Sequence, residues 1–175
     1  MFLELIATFV TGFGVAGIVL LLNKMLRGRL PRWLVPASGG LAMIAFAIWS
    51  EYSWYPRTAG QLPAPVVVAW HNSESAPWKP WTYAVPQTTR FVAVDTGTIR
   101  TNDALPGQRM VDLYLMGRWA PGRQVRVVLD CDGARRADLM EDVAMDENGA
   151  VDPAAWVQMD PSDPVLTTAC DAEVG

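Results

Sequence analysis

The sequence predicts a membrane α-hairpin of two transmembrane helices, followed by a mainly antiparallel β domain that forms a small sandwich or a barrel-like sheet. Two long apolar runs lie near the N-terminus, a basic connector separates them, and the rest of the chain is mildly acidic with short β-branched runs between turn residues. We divide the 175 residues into a hairpin over 1–50, a linker over 51–65 and a β-rich domain over 66–175. This length fits one domain with an anchor.

The first predicted helix covers residues 3–22, where Glu4 is the only charged residue. A helix rises about 1.5 Å per residue, so a run of this length crosses a hydrocarbon core of roughly 30 Å. The second predicted helix covers residues 33–50 and contains no charge. It leads into a predicted membrane-interface belt, because aromatic side chains settle at the lipid headgroups. The belt residues are Trp49, Tyr52, Trp54 and Tyr55.

Small residues occur in both apolar runs, and Gly12 and Ala16 have the spacing that lets two helix backbones approach closely. We expect the two helices to pack against each other at these residues. The alternative is that a small-residue face accepts helices of another protein.

The basic connector over residues 23–32 sets the predicted orientation. Cytoplasmic loops carry an excess of Lys and Arg, so this loop is expected in the cytoplasm and both termini outside it. A cleaved signal peptide is the competing interpretation, but it would have positive charge before the apolar run, and here the charge follows the run. We predict a multi-pass protein of the bacterial inner membrane; a eukaryotic lumen would give the same topology. The topology-setting residues are Lys24, Arg27, Arg29 and Arg32.

The charge of the remaining chain argues against one class of partner. Residues 51–175 contain ten Lys or Arg and seventeen Asp or Glu. Binding to nucleic acid depends on basic patches that neutralise phosphates, so no nucleic-acid partner is expected. The expected partners are the lipid bilayer and a membrane or periplasmic protein.

The β domain is predicted to contain about six or seven short strands bounded by turn residues. Asp132-Gly133 favours a two-residue hairpin turn, since both residue types tolerate positive φ. Thr96-Gly97 and residues 102–107 predict further turns, and the Pro-rich linker predicts turns after some helix at its start. The strands are predicted over residues 66–70, 90–95, 110–119, 124–131, 134–140, 155–159 and 165–170.

Cys131 and Cys170 are the only cysteines, and both fall in the part predicted to face an oxidising compartment. We expect a disulfide between them. The alternatives are two separate core thiols or a metal pair, although two cysteines without a neighbouring histidine make a poor zinc site. No metal site and no cofactor are expected.

Two sets of residues invite a catalytic interpretation. His71, the only histidine, lies beside Asn72, Ser73, Glu74 and Ser75, but no nucleophile-elbow motif occurs and a polar surface turn explains the cluster. Carboxylates can act as an acid and base pair, yet their abundance in one region also fits a solvated surface. We therefore assign no catalytic residue. These carboxylates are Asp130, Asp132, Asp138, Glu141, Asp142, Asp146 and Glu147.

The most unusual stretch combines tryptophans and prolines between residues 70 and 86. Its rings either form a small core under a loop, dock a partner, or enter the bilayer interface, because exposed aromatic rings are costly without a contact. The candidate partner-binding residues are Trp70, Trp78, Trp81 and Tyr83.

The sequence therefore favours a non-enzymatic, membrane-anchored, extracytoplasmic domain that binds another protein, as an accessory or assembly subunit of an envelope complex. The alternative is a membrane-tethered hydrolase that acts on envelope glycans or peptides through the acidic residues. A signal-passing sensor is disfavoured, because a cytoplasmic loop of about ten residues cannot house an output domain.

Overall fold

A computed structural model describes residues 2–139 and 149–172 of the chain. The chain divides into two compact units, Met1–Trp54 and Tyr55–Gly175. Two long apolar helices are followed by a six-stranded antiparallel sheet.

The N-terminal unit contains α1 (Phe2–Met25) and most of α2 (Leu34–Ala59). Both helices are long and apolar enough to cross a membrane by length and composition. They pack closely at small residues: a Cβ on Gly39 would lie 3.2 Å from the carbonyl oxygen of Gly12 and 3.5 Å from the Cβ of Ala16. The expected packing of the two helices against each other is therefore present. Near their other ends, the Ser50 hydroxyl donates to the Glu4 carboxylate at 3.2 Å.

The helix α2 extends further than the sequence predicts. Residues 51–59 are helical, so the expected turns begin only after Ala59, and Pro56 lies inside the helix. Packing explains the extension, because Tyr55 stacks on His71 with ring centroids 5.1 Å apart and meets Phe91 edge-on at 5.5 Å. Such tertiary contacts stabilise helical residues beyond their intrinsic propensity.

The sheet has the strand order β1-β2-β3-β4-β5-β6, and each strand pairs antiparallel with the next. The six strands form one open sheet, and the expected sandwich or barrel-like closure is not confirmed. The strands are β1 (Val66–His71), β2 (Arg90–Asn102), β3 (Leu105–Gly117), β4 (Arg123–Asp130), β5 (Arg135–Asp138) and β6 (Trp156–Gln158).

The C-terminal strand prediction over residues 165–170 is wrong, because this segment forms the helix α3 (Pro164–Asp171). Asp163 begins the helix, since its carboxylate accepts from the Val165 amide at 2.8 Å, and Pro164 occupies the first turn where no amide is needed. The β-branched Val165 suggested a strand, but the capping residues decide the local structure.

Two predicted turns also differ. Thr96-Gly97 lies within β2, at an irregularity in the pairing with β3. The β4–β5 connection has four residues rather than two, and the positive φ falls on Ala134 at 48°. The Asp130 carboxylate accepts a hydrogen bond from the Gly133 amide at 3.0 Å, which stabilises this four-residue connection.

One face of the sheet is covered by α3, and this contact forms the main core. A smaller cluster lies where Val128 and Ala137 meet Val151. The main core consists of apolar side chains from three central strands and from α3. They include Val94, Val111, Leu113, Val127, Leu129, Val165, Leu166 and Ala169.

Candidate functional site

The segment between β1 and β2 folds into a closed, hydrogen-bonded loop, which we call the Trp78 loop (residues 72–89). Asn72 clamps its base, because the Asn72 side-chain oxygen accepts from the backbone amides of Thr89 and Arg90, each at 2.8 Å. Glu74 and Gln87 then exchange two backbone hydrogen bonds of 2.9 Å. The loop is long, but its two ends are held together.

Thr82 anchors the tip of the Trp78 loop from inside. Its side chain is buried, its hydroxyl donates to the Lys79 carbonyl at 2.7 Å, and it accepts from the Ala76 amide at 2.9 Å. The Lys79 amide in turn donates to the Ala76 carbonyl at 2.9 Å, which closes a β-turn with Pro77 and Trp78 at its two central positions. The turn leaves the Trp78 side chain 76% exposed.

A groove separates the Trp78 loop from the connection between β3 and β4. Its volume is about 500 Å³, within the range of ligand-binding pockets. The two walls meet where Arg90 pairs with Gly117 and where the Arg118 amide donates to the Thr89 carbonyl at 2.8 Å. Trp78 stands on one wall and Trp119, 56% exposed, on the other.

The groove is lined by more positive than negative charge. Among the residues that the structure describes, Lys79, Arg90 and Arg118 line the groove with three cations and Glu74 lines it with one carboxylate. The Arg118 guanidinium lies 4.9 Å from the centre of the Trp119 ring, a cation–π arrangement that orients both side chains. The Glu74 carboxylate accepts from the Thr89 hydroxyl at 2.8 Å.

The predicted partner-binding residues are only partly brought together. Trp78 lines the groove, whereas Trp70 lies on β1 and Trp81 and Tyr83 lie on a short 3₁₀ helix (Pro80–Tyr83) outside its lining. All four rings are at least 42% exposed, so the chain does not bury them as a core under the loop.

Sequence reasoning missed the second wall of the groove. The sequence prediction places Trp119 at the end of a strand and gives Arg118, Lys79 and Arg90 no role in binding. One local signal pointed there: the run Trp-Ala-Pro at 119–121 has the same composition as Ala-Pro-Trp at 76–78. The similarity of the two Trp/Pro segments does not by itself show that they share a surface, because that depends on the pairing of β2 with β3.

The residues around His71 have structural partners. The His71 ring stacks on Tyr55, and the Ser75 hydroxyl donates to the Thr82 carbonyl at 2.9 Å rather than to the imidazole. Asn72 and Glu74 hold the Trp78 loop together. These contacts agree with a polar turn at this position.

Two of the described acidic residues of the Asp130 region, Asp130 and Asp138, are held in ion pairs. Asp130 is buried and pairs with Arg135, and Arg136 pairs with Asp138 at 2.8 Å. Burial acts to raise the pKa of Asp130, but hydrogen bonds from Gly133 and Arg135 outweigh it and lower that pKa below its ordinary value. Within residues 2–139 and 149–172, no group of three or more potential ligands could hold a metal ion. Glu141, Asp142, Asp146 and Glu147 lie outside the described residues.

A second buried carboxylate lies on the sheet, where Asp112 of β3 faces Asp95 of β2. Opposed like charges destabilise a sheet unless a cation compensates them. Arg126 supplies it, donating two hydrogen bonds to the Asp112 carboxylate at 2.7 and 3.0 Å. The hydrogen bond from Arg126 lowers the pKa of Asp112 despite the burial of the carboxyl group. Asp112 is therefore an ion-pair partner rather than a proton donor.

The predicted disulfide between Cys131 and Cys170 is present, with Cα atoms 6.0 Å apart. It joins the β4–β5 turn to α3. Arg109 fixes the end of the same helix by donating to the carbonyl oxygens of Ala169 at 2.9 Å and Ala172 at 2.7 Å. The bond therefore holds the C-terminal helix to the end of β4.

The residues assigned to the membrane boundary lie at the ends of the helices. The aromatic belt occupies the C-terminal half of α2, and the ring of Tyr55 packs against His71 and Phe91. Lys24 is in the last turn of α1, while Arg27, Arg29 and Arg32 follow in the connector to α2. Arg27 and Gly28, in the connector after α1, have positive φ.

The chain matches no protein-family model, and no characterised protein and no solved structure is significantly similar to it. Its function is therefore argued from its own geometry.

Proposed function

We propose that this chain is a membrane-anchored accessory or assembly subunit of an envelope complex. Two transmembrane helices hold it in the bacterial inner membrane with both termini outside the cytoplasm. The β domain binds a membrane or periplasmic protein in the periplasm. The observation that carries this proposal is the exposed Trp78 at the tip of a rigidly held loop.

The energetics of exposed tryptophan favour a docking role. Trp is among the residues that dominate binding energy at protein interfaces, because it buries a large area with little loss of side-chain freedom. Asn72 and Thr82 already fix the backbone around Trp78. Binding of a partner would therefore cause little further loss of conformational entropy in this loop, which is the advantage of a pre-organised site.

The N-terminal unit supports the membrane part of the proposal. Many of its large apolar side chains are exposed, including Phe13, Leu21 and Leu41. An apolar surface of this extent favours lipid over water. The four cations in and beside the connector, against the acidic β domain, favour a cytoplasmic connector.

The test compares two exposed tryptophans in the full-length protein. The tagged chain is purified from its native membrane in mild detergent, and bound proteins are identified by mass spectrometry. We expect one membrane or periplasmic protein at stoichiometric yield, reduced about tenfold by Trp78→Ala. Trp70→Ala is the matched control, since Trp70 is exposed but does not line the groove.

Two results would contradict the proposal. One is recovery of the chain as a clean monomer or homo-oligomer. The other is unchanged association after Trp78→Ala, with circular dichroism confirming that the variant is folded.

The hydrolase alternative gains no support from the described acids. Asp130 and Asp112 are paired with arginines and have lowered pKa values, whereas a general acid needs a raised pKa. That alternative now depends on Asp132 and on the four acidic residues outside the described ranges.

A further inference from the structure

We propose that the groove between the Trp78 loop and the β3–β4 connection binds an extended acidic peptide segment of the partner protein. This inference rests on the proposed function and names the chemistry of the ligand. The segment would carry carboxylates together with at least one apolar side chain.

The shape of the groove favours a chain segment over a small ion. Its volume of about 500 Å³ is far larger than a bare anion requires, and it opens to solvent between two walls. Trp78 and Trp119 offer aromatic faces on opposite walls. A peptide that lies between them can place an apolar side chain against either ring while its backbone follows the groove.

The charge of the groove favours an acidic segment. The described residues that line it supply three cations and one carboxylate, whereas residues 51–175 as a whole contain seventeen acidic and ten basic residues. The lining therefore has the opposite sign to the domain that surrounds it. Such a patch attracts negatively charged partners and disfavours basic ones.

Arg118 is positioned to recognise a carboxylate. Its guanidinium carbon lies over the Trp119 ring, 4.9 Å from the ring centre. Stacking uses the face of the guanidinium, whereas bidentate hydrogen bonds to a carboxylate use its edge, so one arginine can make both contacts. Stacking also reduces the conformational freedom that Arg118 would lose on binding.

An anionic membrane surface is the competing ligand, since it also attracts Trp, Lys and Arg. A bilayer presents a broad surface, and the three cations line a concave groove rather than a projecting face. The concave placement favours a segment that can enter between the walls. The test below therefore includes vesicles as a separate arm.

The probe is a library of random decapeptides displayed on phage, selected against the full-length protein in phosphatidylcholine nanodiscs. Enriched peptides are synthesised together with counterparts in which Gln replaces every Asp and Glu. Binding is measured by biolayer interferometry on the wild type, on Arg90→Gln and Arg118→Gln, and on Arg123→Gln as the control. Arg123 is exposed at the start of β4 and does not line the groove.

We expect the enriched peptides to combine acidic and apolar residues. Their affinity should fall about tenfold in Arg118→Gln and in Arg90→Gln, and it should be unchanged in Arg123→Gln. It should also fall when the salt concentration rises from about 50 mM to about 500 mM, because the charges are solvent-accessible. The Gln counterparts should bind as weakly as the groove variants do.

The inference is overturned if no peptide is enriched, if the enriched peptides are neutral or basic, or if Arg123→Gln weakens binding as much as Arg118→Gln. It is also overturned if vesicles of about one-third phosphatidylglycerol in phosphatidylcholine bind in a groove-dependent way while no peptide does. If Trp78→Ala abolishes capture of the native partner but both arginine variants retain it, the proposed function stands and the acidic-segment inference fails. If Trp78→Ala and both arginine variants all still capture the native partner, the proposed function and the acidic-segment inference both fail.

Discussion

Removing the disulfide tests how the C-terminal helix is held to the sheet. Cys131 and Cys170 are separated by 39 residues, and the chain-entropy model gives about 4 kcal/mol for closing a loop of this length in the unfolded chain. The closed loop contains β5, β6 and most of α3, so its opening frees the segment that covers the main core. We expect the double variant Cys131→Ala/Cys170→Ala to lose about 3–4 kcal/mol of unfolding free energy.

Amide hydrogen exchange followed by mass spectrometry measures this loss in the full-length protein in detergent. Peptides from β3 and β4 report global opening of the β domain, because these strands hold the buried core residues Val111, Leu113, Val127 and Leu129. Their exchange rates should rise by between two and three powers of ten, since about 1.4 kcal/mol corresponds to a factor of ten. Adding reductant to the wild type provides the control: it should reproduce the variant's exchange and leave the variant itself unchanged.

An exchange rate in β3 and β4 that rises less than about fivefold would refute the entropic reasoning. That result would mean that the cap of α3 and its contacts with the sheet already restrict the chain as strongly as the covalent bond does.

Three further predictions concern other parts of the molecule. Gly39→Val should weaken the contact between α1 and α2 by about 1–3 kcal/mol, because the new side chain would meet the backbone of α1. Gly40→Val is the control and should leave the contact unchanged, since no atom lies within 4 Å of a Cβ at this position. The migration of the two variants in SDS gels compares the stability of their helix contacts. Asp112→Asn should lower the urea midpoint at neutral pH. The midpoint of the variant should also fall less than that of the wild type when the pH is lowered. The reason is that a carboxyl group whose folded pKa is below 3.8 contributes its full stabilisation above about pH 5 and loses it as the pH falls below about 4. Arg109→Met should cost about 2 kcal/mol by removing two charged hydrogen bonds to the end of α3, whereas Arg123→Met should change the urea midpoint little; an equal loss in both would contradict the assigned role.

In the C-terminal helix, the local sequence pattern and the long-range packing favour different structures. The run Val165-Leu-Thr-Thr-Ala-Cys170 has strand composition, and nothing within it favours a helix strongly. Asp163 and Pro164 supply a helix start, and burial of Val165, Leu166 and Ala169 against the sheet supplies the free energy. The capping residues were present in the sequence, but the burial depended on strands far away along the chain.

The linker gave a related result for a different reason. The sequence predicts turns after some helix at the start of the linker, and α2 continues past Pro56 to Ala59. The contacts of Tyr55 with His71 and Phe91 lie between residues that no local pattern joins. The helix extends further than the sequence predicts because proline lowers only the local helix propensity, whereas these tertiary contacts stabilise the helix beyond it.

Features that depend on composition or local pattern could be predicted from the amino-acid sequence. These are the two apolar runs, the basic connector, the strand-rich remainder and the pair of cysteines. The length of an apolar run and its content of β-branched residues are local properties, so they predict helices and strands without knowledge of the fold. The groove depended on tertiary structure, because Trp78 and Trp119 are brought to facing walls only by the pairing of β2 with β3 and by the Thr82 anchor. Strand register joins residues distant in sequence, and the free energy that selects it comes from burial across the whole sheet.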